Sequence, residues 1–399
     1  MVFIPCMGKY ITTAFLIHSF TCHEEPCGWA IRNWPLSMCS ITSRMAFWVA
    51  AELSKNDNIR VDILTYSSEH KYLKHLIELL KADNINLIEV KTYKIRQWID
   101  KIKKRKRPSP LFLTKHNKKI MKSYDFLVFT DFKTIYFNKN NKTKFIYLRH
   151  GSGDRAYGYN IPKLEEFDLL LLAGKKILNR ILNEGLKNKN YKIVGYPKFD
   201  IAIVEQKNES IFKNNNKTIL YNPHNSWELS SWYKNGNKIL EFFYTQKEYN
   251  LIFAPHINLF NDKKYISPKI LKKKYFNAKN ILIDLGSEKS SNMSYTLSAD
   301  VYIGDVSSQV YEFIFKSRPC LFINSNKIEW TNDPNYLHWS LGKVLSDVSN
   351  LKNELKNIEE THQKFKQIQT ELFQDTFDIS NEISSSKRAA NEINQFINE

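Results

Sequence analysis

Residues 298–324, SADVYIGDVSSQVYEFIFKSRPCLFIN, constrain the fold more than any other stretch. A short apolar run at 301–303 leads into Gly304-Asp305-Val306-Ser307-Ser308. Val310, Phe313 and Ile314 then fall on one helical face, Pro319 ends the helix, and a second apolar run fills 320–323. Strand, tight loop, helix and strand in this order make a βαβ unit, which commits its strands to a parallel sheet covered by helices. The loop lies at the carboxyl end of its strand, where open α/β sheets bind ligands. It also feeds a helix amino end, whose free N–H groups suit phosphate. Ser307 and Ser308 would add two hydroxyl donors. The same residues also fit a plainer part, with Ser307 or Ser308 capping the helix and Asp305 shaping the turn.

The alternation recurs along the chain. Met45, Trp48, Val49 and Leu53 mark a helix face, 61–65 a strand, 72–80 a helix and 87–90 a strand. Further strands are expected at 126–129, 145–148, 169–172 and 193–194. The 145–148 run enters Arg149-His150-Gly151-Ser152-Gly153-Asp154-Arg155, and the last of these strands enters Gly195-Tyr196-Pro197-Lys198-Phe199-Asp200. A Lys- and Asn-rich link at 206–217 is the best candidate for a domain boundary. A second series follows: strands at 218–221, 251–253 and 281–283, with the loops Asn222-Pro223-His224 and Ala254-Pro255-His256 and with Asp284 at a strand end. From residue 347 on the pattern is helical. The fold class read from this order is α/β: two Rossmann-like domains facing a cleft, the GT-B layout, with a C-terminal helical tail. The expected divisions are an irregular segment at 1–40, domains at 41–205 and 206–345, and the tail at 346–399. Within 1–40, a first strand is expected in 11–20.

At 399 residues, 42% of them apolar, the chain can build two cores, and its formal net charge of +18 points to an anionic partner. Part of that excess fits a genome rich in Lys, Ile and Asn codons. Four of the five cysteines, Cys6, Cys22, Cys27 and Cys39, lie in the first 39 residues without a close CxxC pair. Even with His23 nearby this is a poor zinc pattern, and an odd count in a large chain favours reduced thiols and a cytoplasmic setting. No apolar run reaches the roughly 18 residues of a membrane span. The helix pattern at 93–107 places Ile95, Trp98, Ile99 and Ile102 in a stripe beside Lys101, Lys103, Lys104, Arg105, Lys106 and Arg107. The stripe is expected to pack on the sheet. The charge run fits either solvent or the anionic inner face of a membrane.

Four motifs, in order from about 144 to 324, resemble those of the CDP-glycerol:poly(glycerophosphate) glycerophosphotransferases, which build teichoic-acid and related capsule polymers of the cell envelope. They are His150-Gly151, Gly195-Tyr196-Pro197-Lys198-Phe199-Asp200, Leu220-Tyr221-Asn222-Pro223, and Gly304-Asp305-Val306-Ser307-Ser308 with Arg318-Pro319. The chain departs from the family pattern at Arg149 (Trp in the family), Ser152 (Thr), Lys198 (Arg), Val306 (Tyr) and Glu312 (Asp), and it inverts His-Pro to Pro255-His256.

The resemblance implies attack of an acceptor hydroxyl on the β-phosphorus of CDP-glycerol, with CMP leaving. The acceptor would be a polymer or lipid-linked; the chain itself is read as cytoplasmic, with a peripheral place on the inner face of the membrane left open by the basic helix. His150 fits the general base. Ser307, Ser308 and His256 would hold the donor phosphates, and His224 either joins them or shapes its turn. Arg149 and Arg155 either neutralise phosphate or pair with Asp154. Asp305 orients its loop, Glu312 reaches ribose or lies on a solvated helix face, and Asp284 enters the cleft or ends its strand. Gly151 lines the cleft. No acidic cluster calls for a metal, and no cofactor is expected. A GT-B glycosyltransferase using a nucleotide sugar is the alternative. A non-catalytic nucleic-acid or membrane-binding protein rests only on the charge and lacks a nucleic-acid signature.

Overall fold

The computed structural model describes residues 11–16, 37–102, 110–131, 142–205, 211–260, 266–290, 292–380 and 382–399. Cys6, Cys22, His23, Cys27 and the basic residues from Lys103 to Arg107 lie outside them. Seven described strands form the first sheet: β1 (Ile11–Leu16), β2 (Ile59–Thr65), β3 (Ile85–Glu89), β4 (Phe126–Phe129), β5 (Lys144–Leu148), β6 (Leu169–Leu172) and β7 (Tyr191–Ile193). Six form the second: β8 (Lys217–Asn222), β9 (Tyr249–Phe253), β10 (Ile281–Ile283), β11 (Val301–Gly304), β12 (Cys320–Ile323) and β13 (Lys343–Leu345). The orders are β3-β2-β1-β4-β5-β6-β7 and β10-β9-β8-β11-β12-β13. Every strand pair is parallel. Continuous apolar runs suit this arrangement, because both faces of a parallel sheet are covered; all four residues of β6, β11 and β12 are buried.

In each sheet the strand order reverses once, between β1 and β4 and between β8 and β11. Those reversals open the crevices in which doubly wound sheets hold ligands. Two of the motif loops leave the second sheet at its reversal, since β8 and β11 pair with Gly304 beside Asn222.

The expected helical tail is not a separate element. Leu351, Leu355 and Ile358 are buried in the core of the second half. Phe373 and Phe377, on the helix Lys366–Phe377, pack on Phe199 of the first half, which also stacks on Phe315 of the second. The terminal helix Ser385–Asn398 returns to the first half, burying Ala389, Ala390, Ile393 and Ile397 in the same core as Phe47 and Ala50. Gly195 permits this return. Its φ is +81°, and a Cβ there would collide with Ser385 Oγ. Ser384 caps the helix, and Asp200 adds to that cap from the first half, accepting from Ser386 N and Ser386 Oγ at 2.7 Å each and from Ser385 N at 3.3 Å.

The stripe expected to face the sheet is turned outward instead. On the helix Lys94–Ile102, Ile95, Trp98 and Ile102 are 71%, 63% and 59% exposed. The inward face is made by Ile99, Asp100 and Arg96, whose guanidinium lies 4.5 Å from the centre of the Phe112 ring. No described helix is long and apolar enough to cross a membrane.

Asp200→Ala should lower stability by about 1–2 kcal/mol, the usual cost of a lost helix cap, read as a lower urea midpoint with an unchanged slope. An unchanged midpoint would mean that the Ser384 cap suffices and the terminal helix docks without Asp200.

Candidate active site

Three loops leave the second sheet side by side. Register sets Gly304 beside Asn222 and Tyr221 beside Phe253, so the loops after β8, β9 and β11 start at one level. Asp305 ties two of them together. Its fully buried carboxylate accepts from His224 N at 2.8 Å, Ser231 N at 2.5 Å, Ser231 Oγ at 2.7 Å and Val306 N at 2.7 Å. Its role is thus to orient the loop, with no oxygen turned to a ligand. Burial raises the Asp305 carboxyl from the ordinary 3.8 to about 6, against the pull of its donors.

The two histidines of these loops stand together, their ring centres 5.5 Å apart. His224 Nδ1 accepts from Ser226 N at 3.0 Å, and His256 Nδ1 accepts from Asn258 N at 3.2 Å. Each neutral ring therefore carries its hydrogen on Nε2, the form that donates to an anion. Ser308 is exposed and Ser307 half-buried at the start of the helix Gln309–Phe313. Ser307 Oγ accepts from Gln309 N at 3.3 Å, and Ser308, at the N-cap position, makes no capping bond with its side chain. With five residues that helix has a weak dipole and by itself offers an anion little.

His150 follows β5. Its Nδ1 makes a short contact with the carbonyl of Thr130, which directly follows β4. A carbonyl only accepts, so Nδ1 carries the hydrogen and Nε2 offers a lone pair, as a base requires. Gly151 has open space where a side chain would stand. A Cβ on Gly153 would lie 3.4 Å from Ser308 Cβ. The loop of the first half and the serine loop of the second thus meet across the cleft.

Other expected site residues hold structure. Arg149 is buried and donates to the carbonyls of Gly151 at 2.9 Å and Gly158 at 2.7 Å, so it braces the loop and does not pair with Asp154. Arg155 lies over the Tyr336 ring, 5.3 Å from its centre, and does not pair with Asp154. Asp284 ends its strand, accepting from Gly286 N at 3.0 Å, Ser287 N at 2.7 Å and Tyr295 OH at 2.7 Å. Glu312 is neither at a ribose position nor solvated. It is buried and paired with Lys198 at 2.6 Å. Arg318 spends its guanidinium on the carbonyls of Thr296, Leu297, Ala299 and Phe313.

The partner of Asp154 is Lys176, at 2.8 Å, a residue that sequence reasoning passed over. Asp154 also accepts from Tyr311 OH at 2.9 Å and from His338 N and Nδ1 at 3.0 and 2.8 Å, both from the second half. Burial would raise this carboxyl, yet the Lys176 charge and the His338 hydrogen bond hold it well below the usual carboxylate range. His338 Nε2 faces the Asp305 carbonyl at 3.1 Å and so joins the cluster to the serine loop. Lys176 and His338 carry no motif; only Lys198, inside Gly195–Asp200, was signalled.

The model of the CDP-glycerol:poly(glycerophosphate) glycerophosphotransferases matches residues 60–395. The chain belongs to this family. Among solved structures it is similar to the wall teichoic acid polymerase TagF, at 15% identity and TM-score 0.61, over 97% of this chain and 89% of that one. A TagF variant soaked with CDPG matches at 15% identity and TM-score 0.58, over 97% and 88%. A putative UDP-N-acetylglucosamine 2-epimerase from Listeria monocytogenes matches at 13% and 0.55, over 98% and 96%. These likenesses are of fold, the two-halved GT-B arrangement. No curated protein matches the chain in sequence. The loop that carries the His-Gly motif thus meets the Ser-Ser loop at Gly153, the Gly-Tyr-Pro motif receives the terminal helix, and Arg-Pro braces the second half from within.

The raised Asp305 value has a testable sign. Proton uptake between about 6 and 3.8 favours the folded chain; this contribution is present at low pH and is lost as pH rises through about 6. From pH 7 to pH 5 the wild type should therefore gain about 1 kcal/mol on Asp305→Asn, measured by urea unfolding. Parallel stability curves would show that Asp305 does not titrate there.

Proposed function

We propose that the chain transfers glycerol phosphate, or a related polyol phosphate, from a CDP-activated donor to an acceptor hydroxyl of a cell-surface polymer or its lipid-linked precursor. The observation that carries this reading is the meeting of the His150 loop with the Ser307–Ser308 loop across the cleft. The donor diphosphate lies against Ser307, Ser308 and the Nε2 atoms of His224 and His256. The acceptor oxygen lies between the β-phosphorus and His150 Nε2. As the new P–O bond forms, the bond from the β-phosphorus to the bridging oxygen breaks. CMP leaves with that oxygen and its electron pair, and the acceptor proton goes to His150 Nε2. The donors beside the diphosphate stabilise the charge that builds up there.

His150→Ala should lower turnover by about a hundredfold or more with donor affinity little changed, and the rate should lose its acid limb. CMP release from CDP-glycerol, with CDP-ribitol and UDP-sugars as comparison donors, reads this directly. Replacing Ser307 and Ser308 together by Ala should instead weaken donor binding. Full turnover in His150→Ala would make this histidine structural; loss of donor binding would make it a phosphate ligand.

The reading extends to the inner face of the cell membrane. The exposed stripe Ile95, Trp98 and Ile102 beside Lys94 and Lys101 supports it, as does the basic run that follows in sequence. Ser at Ile95, Trp98 and Ile102 should release the protein from vesicles containing phosphatidylglycerol while leaving CMP release with a soluble acceptor intact. A wild type that ignores such vesicles at low salt would contradict this.

A further inference from the structure

The helix Gln309–Phe313 follows the donor serines directly, and two successive side chains on it reach into the other half of the molecule. Tyr311 donates to Asp154 at 2.9 Å, and Glu312 accepts from Lys198 at 2.6 Å. Lys198 and Glu312 are each 8% exposed or less in their side chains. Between them and the base stands Tyr196. Its hydroxyl is 3.0 Å from the His150 carbonyl, to which it donates, and 3.5 Å from Glu312 Oε1. The one hydroxyl hydrogen of Tyr196 goes to the His150 carbonyl, so Tyr196 packs beside Glu312, and the Lys198–Glu312 pair ties this part of the first half to the helix that begins at the donor loop. A buried ion pair adds little stability on balance, because desolvation cancels much of the attraction, but it tolerates only one geometry.

We propose that Glu312 and Lys198 are positioning residues: their pair, with Tyr196 beside it, sets the separation between His150 and the donor serines. This rests on the transfer reaction proposed above. The pair touches neither donor nor acceptor, and its effect is on the alignment of two loops carried by different halves. A displacement of about 1 Å in such an alignment costs on the order of a hundredfold in rate. Lys198→Arg keeps the charge and the reach, whereas Lys198→Met and Glu312→Gln break the pair and leave Ser307, Ser308, His224 and His256 in place.

Two measurements on the full chain test this. In CMP release, Glu312→Gln and Lys198→Met should lose about a hundredfold in kcat with CDP-glycerol affinity within about threefold of wild type, and Lys198→Arg should recover most of the loss. In hydrogen exchange without substrate, both broken-pair variants should speed exchange in two segments at once, 148–156 and 304–315, while Lys198→Arg should not. Wild-type kcat in Glu312→Gln, a loss confined to donor affinity, or failure of Lys198→Arg to recover would overturn the proposal. So would faster exchange in 304–315 alone. If the wild type releases no CMP from CDP-glycerol, the transfer reading fails by itself, and the exchange experiment still decides whether the pair couples the loops.

Discussion

The arrangement depends on one buried carboxylate. Asp154, on the loop after β5, takes a cation from its own half, Lys176, and two donors from the other half, Tyr311 and His338. Removing such groups from water costs several kcal/mol per ion, and only a full set of partners at hydrogen-bond distance offsets that cost. Each of the three partners is within 3 Å. The set can be complete only when the halves are docked, so docking and charge burial are one event. The aromatic packing of Phe199 on Phe315 and Phe377 adds non-directional attraction to the same junction.

Docking then does chemical work. Tyr311 and His338 both engage Asp154, and His338 also reaches the Asp305 carbonyl. The His150 loop, starting four residues before Asp154, is thereby brought to within van der Waals reach of Ser308. The charged residues behind the meeting point, Asp154, Lys176, Lys198 and Glu312, are spent on structure.

Much of this was legible in the sequence. Apolar runs bounded by small polar loops located twelve of the thirteen strands, because burial on both faces demands continuous apolar sequence. The exception is β13; like β7, which the 193–194 run meets only at Ile193, it is a three-residue edge strand whose residues are half-buried. The helical end of the chain was visible as helices but not as a return to the first half. That return depends on Gly195 and Asp200, nearly two hundred residues away from their contacts. For the site, the loop positions of His150, His224, His256, Ser307 and Ser308 were readable from strand ends. The fates of Arg149, Asp284 and Glu312 were not, because a charged residue near a cleft reads the same whether it faces ligand or a partner in the fold. The exposed stripe of Ile95, Trp98 and Ile102 misled for a related reason: periodicity identifies an apolar face but not what covers it.

The central claim is that the two motif loops form one transfer site with His150 as its base. A crystal structure of the chain soaked with CDP-glycerol tests it most directly. The account predicts the diphosphate against Ser307, Ser308 and the Nε2 atoms of His224 and His256, with the β-phosphorus turned toward His150 Nε2 and space for one acceptor oxygen between them. A diphosphate bound away from the serine loop, or a β-phosphorus facing away from His150, would contradict it.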